Sequence, residues 1–233
     1  DHRDLHSFPT RRSSDLSREM GIRANVGCGR TPTRGWTNLD NSFSVRLKGW
    51  PRVLQSLLTA RLISRESVLF AKSARESDIR WANAVEKLPF SNEMVMVLYS
   101  SHMLEHLDRW EAERFLKESW RVLRPGGILR LAVPDLKRRI ERYNSTGDAD
   151  EFMMSLNMRQ RALRGVRQKL RLLVLGDRDH QWMYDATSLS KLLLRSGFRH
   201  AQEMAPGASL IHDPDGLDLR EREEESIYVE AVK

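Results

Sequence analysis

The chain has 233 residues, a formal net charge of +7 and one cysteine. That length suits one domain with a real core and is short for two. A single cysteine excludes an intrachain disulfide and a cysteine-based metal cluster, and no apolar run approaches the roughly 20 residues of a membrane span. With no signal peptide visible, a reducing cytoplasm is the expected setting.

The positive charge is unevenly placed. Residues 41–65 hold five basic residues and no acid, and residues 152–176 hold six and no acid. Residues 213–230 carry eight acids against Arg220 and Arg222. Basic stretches suit anionic partners, and they equally suit solvated helix faces.

Residues 1–16, DHRDLHSFPTRRSSDL, match the one-frame translation of a widely used DNA-sequencing adaptor. They are expected to be an assembly artefact, a disordered tail outside the native domain, with native N-terminal residues missing. The domain is expected to span residues 21–233. Ile22 to Val26 reads as a short buried strand, Gly27-Cys28-Gly29 as a tight turn, Arg30 to Arg34 as a loop, and Trp36 to Leu39 as a second strand ending on Asp40. Two glycines one residue apart let a backbone pass close beneath an adenosine, and a carboxylate closing the next strand suits a ribose diol. Only 13 positions separate Gly27 from Asp40, against about 20 in the dinucleotide fingerprint. A loop or a helix of a turn or two is expected between them.

Pro51 opens a helix with Val53, Leu54, Leu57, Leu58 and Leu62 on one stripe, and a second helix covers Ser67 to Ser77. Ile79 to Ala84 is the third strand. After a Leu88-Pro89-Phe90 turn, Met94 to Ser100 is a fourth, fully apolar strand of the kind found at the centre of a parallel sheet. Asp108 and Glu111 form a capping box for a helix lined by Ala112, Phe115, Leu116, Ser119, Val122 and Leu123. Pro125-Gly126-Gly127 stops it and turns the chain into a fifth strand, Ile128 to Val133. Helices follow over Leu136 to Tyr143 and Phe152 to Leu175, and another, capped by Asp185, ends at Gly197. Arg199 to Met204 and Ser226 to Val232 are the last strands. Strands alternating with helices give an α/β domain with a mostly parallel sheet and helical insertions near 44–77 and 136–178.

The strings NVGCG, NLD, NAVEKLPF, YSSHMLEHL and RVLRPGGILRLAVPD, in this order and spacing, resemble class I S-adenosylmethionine-dependent methyltransferases. They are most similar to the small bacterial enzymes found beside polysaccharide and lipopolysaccharide genes. The resemblance covers about Ile22 to Lys233, including HQWMYDATSLSKLLLRSGF, GLDL and ESIYVEA near the end. It implies a Rossmann-like, doubly wound, mostly parallel seven-stranded sheet with an antiparallel last strand, and S-adenosyl-L-methionine as cofactor. By the same resemblance Gly27, Cys28 and Gly29 line the methionine and ribose, and Asp40 holds the ribose hydroxyls. Asn83 and Ala84 flank the adenine, and Ser100, Ser101 and His102 border the transferred methyl. Asn25 stands where many of these enzymes carry an acid near the cofactor's amino group. Asn83 also replaces a common acid, although an amide oxygen accepts the same bond, and Thr31 replaces a third glycine.

Methyl transfer asks a protein to align an acceptor, exclude water and remove a proton. Positioning contributes roughly 7–11 kcal/mol, and a general base about 10²–10⁴-fold. His102 is the first candidate for that base and suits loop packing equally well. His180, with Trp182 and Tyr184, is a second candidate, on a substrate lid, and His106 reads as structural. Cys28 reads as a small residue beneath the cofactor, not as a nucleophile. No metal ligands are assigned.

Three readings compete. His102, Glu105 and His106 match the H-x-x-E-H string of zinc hydrolases, in which residues four apart share a helix face; that reading leaves the glycine turn unexplained. A nicotinamide-dependent oxidoreductase is opposed by the short gap to Asp40 and by the RPGG turn. A non-catalytic protein retaining the fold is the third. The expected acceptor is a sugar or other small hydroxyl of a surface glycan. Peripheral docking on an anionic membrane is expected through the basic helices, one of which sets Leu156, Leu163, Val166, Leu170 and Leu173 among Arg159, Arg161, Arg164, Arg167 and Lys169. Few aromatics interleave with these charges, which disfavours nucleic acid.

Overall fold

The computed structural model describes residues 21–158 and 179–233. The adaptor-like tail over residues 1–16 lies outside the described residues, as does most of the basic helix expected over 152–175. Seven strands, β1 (Ile22–Val26), β2 (Thr37–Asp40), β3 (Arg80–Trp81), β4 (Val95–Ser101), β5 (Leu123–Pro134), β6 (His200–Met204) and β7 (Ser226–Val232), form one sheet. Their order is β3-β2-β1-β4-β5-β7-β6. Every neighbouring pair is parallel except those of β7, which runs antiparallel to β5 and β6. This is the expected α/β, Rossmann-like architecture. The strand order reverses between β1 and β4, and such a switch point opens a crevice at the C-terminal ends of those two strands.

The described helices are α1 (Phe43–Arg46), α2 (Pro51–Thr59), α3 (Arg65–Glu76), α4 (Arg109–Val122), α5 (Leu136–Thr146), α6 (Ala149–Ser155) and α7 (Ala186–Arg195). Caps fix where several begin. Asp108 and Glu111 close the expected capping box on α4, and Asp185 forms one with Ser188 on α7. Alternation along the strands separates two cores. Leu98, Leu129, Leu131, Val133 and Val229 meet Phe115 and Leu116 of α4 and Leu189, Leu192 and Leu193 of α7. On the opposite face Val97, Tyr99, Ala132 and Tyr228 pack with Trp36 and Ile211.

That second face also carries a fully buried ion pair. Arg130 of β5 and Glu230 of β7 are register partners, and Arg130 Nη1 donates to Glu230 Oε1 at 2.7 Å. Arg130 donates further to the carbonyls of Ala208 and Leu219. Glu230 accepts from Ser209 Oγ and the Leu210 amide. The pair therefore ties residues 205–225, which have little regular structure of their own, onto the sheet.

Three expected boundaries move. β3 is two residues long, not Ile79 to Ala84, because only Arg80 and Trp81 find register partners on β2, which ends at Asp40; Asn83 and Ala84 stand in the turn after it. The RPGG segment does not precede β5 but bulges within it: Val95 pairs with Leu123 and Val97 with Ile128. A Cβ on Gly127 would lie 2.9 Å from the Arg124 carbonyl, so the bulge requires glycine there. α6 starts at Ala149 under an Asp148 cap and stops at Ser155, where a helix starting at Phe152 was expected.

Candidate functional site

The crevice is built from two chain crossings. At the first, β1 ends in the turn Gly27-Cys28-Gly29, with φ of +71° at Gly27 and +50° at Gly29. Left-handed backbone of this kind favours glycine. The Gly27 and Cys28 amides both donate to the Leu39 carbonyl, at 2.8 and 3.1 Å, which folds the turn back onto β2. Asp40, closing β2, faces the turn: its Oδ2 accepts from the Gly29 amide at 3.1 Å and its Oδ1 from the Ser42 amide at 2.8 Å. A Cβ on Gly29 would meet nothing within 4 Å, so this side of the turn is open. Gly27 is different. A Cβ there would lie 2.6 Å from Met103 Cγ, because Met103 lies across it.

Asn25 precedes the turn and is buried. Its Nδ2 donates to Thr33 Oγ1 and the Thr31 carbonyl, while Oδ1 has no partner. Asn38 completes this loop anchor by accepting from the Thr33 amide. Cys28 departs from its expected place beneath a ligand. Its side chain packs with Val45, Ala74 and Ile79 under α1 and α3, on the insertion side of the turn. Burial, reinforced by the Asp40 charge, pushes its thiol up to about 12. A neutral thiol is no nucleophile at physiological pH, which agrees with the sequence reading. Asn83 uses its Oδ1 to accept from the Val85 amide, making a local turn, and Ala84 is buried.

At the second crossing β4 delivers Ser100 and Ser101, whose hydroxyls are buried and without a partner. His102 follows with φ +48°, a left-handed conformation that costs a non-glycine residue about 1–3 kcal/mol. Three contacts hold it there. Its amide donates to the Ala132 carbonyl at 2.9 Å, its Nε2 shares a 2.8 Å hydrogen bond with Ser226 Oγ, and its Nδ1 lies 3.3 Å from Glu105 Oε1. Ser226 in turn lines a cleft of about 310 Å³ with Arg138, Glu203, Met204 and Tyr228. His180, expected on a lid, is buried instead beside His106, with ring centroids 5.1 Å apart. Desolvation lowers its pKa, which favours the neutral ring.

The H-x-x-E-H string does not form the helix that a zinc hydrolase of that type requires. Only Leu104–His106 are helical, as a single 3-10 turn, and His102 lies outside it. Glu105 is 1% exposed and walled in by histidines, so it has no access to water as a base. Two residues of the site escape sequence reasoning. Ser226 is 124 positions from His102 and carries no local signal. Met103 was part of the quoted YSSHMLEHL string, but nothing in it says that this methionine covers Gly27.

Comparison with known proteins bears on part of this site, the family match including β4 and His102 but not the turn after β1. Residues 49–131 match the family model described as a methyltransferase domain. A protein of Mycolicibacterium smegmatis named "Probable S-adenosylmethionine-dependent methyltransferase" is 40% identical over 58 residues, a quarter of this chain. The match spans about a fifth (21%) of that relative's length. Among solved structures, a methyltransferase of Thermotoga maritima aligns over 91% of this chain and 82% of its own, with 15% identity and a TM-score of 0.47. One from Mesorhizobium loti aligns over 94% and 95%, with 18% identity and a TM-score of 0.44.

Proposed function

We propose that this chain is an S-adenosylmethionine-dependent methyltransferase, a reading supported by the methyltransferase-domain match over residues 49–131, and that it methylates a hydroxyl of a sugar or similar small acceptor in surface-glycan biosynthesis. The observation that carries the reading is the Asp40 carboxylate held 3.1 Å from the Gly29 amide at the switch point of the sheet. The residues there fit the cofactor. Gly29 leaves open space, and Asn25 Oδ1, Ser100 Oγ and Ser101 Oγ are buried polar atoms still lacking partners. Asp40 would hold the ribose hydroxyls with its remaining lone pairs, and the turn and Asn25 would line the methionine side. Asn83 and Ala84 would stand at the adenine edge. When bound, the cofactor supplies a methyl group made electrophilic by its sulfonium.

The protein's own work is then alignment and proton removal. Arg138, Glu203 and Ser226 give the neighbouring cleft polar walls, with Met204 and Tyr228 as an apolar floor, a combination suited to a sugar. Ser226 connects that cleft to His102 Nε2, so a proton leaving an acceptor hydroxyl passes to the imidazole directly or through Ser226 Oγ. Peripheral docking on anionic lipid belongs to the same reading. Trp50 is exposed among Arg46, Lys48 and Arg52, and no described helix is long and apolar enough to cross a membrane.

The test is transfer of tritiated methyl from S-adenosylmethionine into separated glycan, lipid and RNA pools. Label should enter the glycan pool as an alkali-stable methyl ether. Label confined to RNA or to lipid headgroups would overturn the acceptor assignment, and none in any pool would overturn the hydroxyl-transfer reading.

A further inference from the structure

Beside the crevice, three side chains from two distant segments converge. One donor atom each from Glu105, His106 and His180 lie within 4.8 Å of one another. Glu105 is almost wholly buried, and neither of its carboxylate oxygens has a hydrogen-bond partner. His102 Nδ1 lies 3.3 Å and His106 Nε2 3.9 Å from its Oε1, neither aligned as a hydrogen bond. A carboxylate taken out of water in this way is strongly disfavoured unless something positive meets it. The two imidazoles are arranged as ligands. His106 uses Nδ1 on the Asp179 carbonyl, which leaves the Nε2 lone pair for the Glu105 side. His180 is buried, and its Nδ1 is without a hydrogen-bond partner. An imidazole that gives one nitrogen to a carbonyl and presents the other is the usual form of a metal-bound histidine.

We infer that Glu105, His106 and His180 form a binding site for one divalent transition metal of the zinc class. Two histidines and one carboxylate are a familiar zinc ligand set, and three protein ligands leave one position open. Tetrahedral ligands at zinc sit about 3.4 Å from one another given bonds of about 2.1 Å, so the three groups need only a modest inward shift. The metal would clamp the 3-10 turn after β4 to the segment around His180. That segment is already docked there by the Gln181 and Trp182 amides on the Glu105 carbonyl and the His180 amide on the Asn157 carbonyl. Sequence alone offered a different trio, because His102 is not among the three groups that converge and the third ligand comes from far along the chain. This site is independent of the methyl-transfer reading, and its test needs no cofactor.

The full chain, stripped with chelator, is titrated with Zn²⁺ and with Co²⁺ and assayed for bound metal, cobalt absorption and thermal midpoint. One equivalent should bind, with visible Co²⁺ bands of a four- or five-coordinate site and a higher midpoint. His106→Ala, Glu105→Gln and His180→Ala should each weaken binding about tenfold or more, whereas the exposed His200→Ala should not. His106 is partly exposed, so its variant reports on binding even where the more buried substitutions fail to fold. Absence of stoichiometric binding, or binding that survives His106→Ala, would overturn the inference.

Discussion

Truncating Arg130 to alanine should lower the free energy of unfolding by about 3–5 kcal/mol, because it leaves Glu230 charged and buried with no counter-ion. A domain of ordinary stability has roughly 5–15 kcal/mol in hand, so this variant is expected to be near the edge of folding at 37 °C. The loss has two parts. One is the orphaned carboxylate, and the other is the release of the Ala208 and Leu219 carbonyls that Arg130 now satisfies. Replacing Arg130 and Glu230 together by methionine removes both charges and should recover much of the loss, since an apolar pair of similar volume often matches a buried ion pair. Urea unfolding of the single and double variants measures both effects. A single-variant loss below about 1 kcal/mol would show that the pair is worth no more than a surface salt bridge. The same segment carries Glu221, which accepts from Tyr99 Oη and, through its carbonyl, from Tyr228 Oη. Loosening residues 205–225 should therefore also disturb Ser226, the partner of His102.

Asparagine at position 102 should slow methyl transfer by about 10²–10⁴-fold, the range lost with a general base, while cofactor affinity changes by less than about threefold. Asparagine is chosen because it tolerates the left-handed backbone that His102 adopts and keeps a polar group at the position of Nδ1, although it does not reach Ser226. Alanine would confound lost chemistry with lost anchoring. A fall in turnover with unchanged binding identifies an interaction made only in the transition state. If His102 merely props up the loop, the variant will keep its rate within about tenfold and show its effect in thermal stability instead.

Much of the architecture was legible because its signals are local. The Asp108–Glu111 capping box, the Asp185 cap, the period-two strands and the glycine turn followed by Asp40 all lie within short windows. What escaped depends on long-range pairing or on direction. Arg130 sits in a strand that reads as apolar, and only Glu230, 100 positions later, explains how it is buried. Cys28 could be placed in the turn, but nothing local said that its side chain faces α1 and α3 instead of the crevice. β3 was read too long because β2 ends at Asp40: the Ala82 amide still donates to the Asp40 carbonyl, but Asn83 and Ala84 have no register partner there. The H-x-x-E-H spacing suggested a helix, but the chain leaves β4 through His102 in a left-handed turn and makes one 3-10 turn only. Glu105 and His180 meet for the same reason, across a span that no motif records.

The most direct measurement is calorimetric titration of S-adenosylhomocysteine into the wild-type chain and into Asp40→Ala. The wild type should bind one equivalent, and Asp40→Ala should bind about 10–100-fold more weakly, the loss expected for one or two hydrogen bonds to a charged acceptor. No binding to the wild type, or equal binding by both proteins, would contradict the role assigned to the turn after β1 and the acid that faces it.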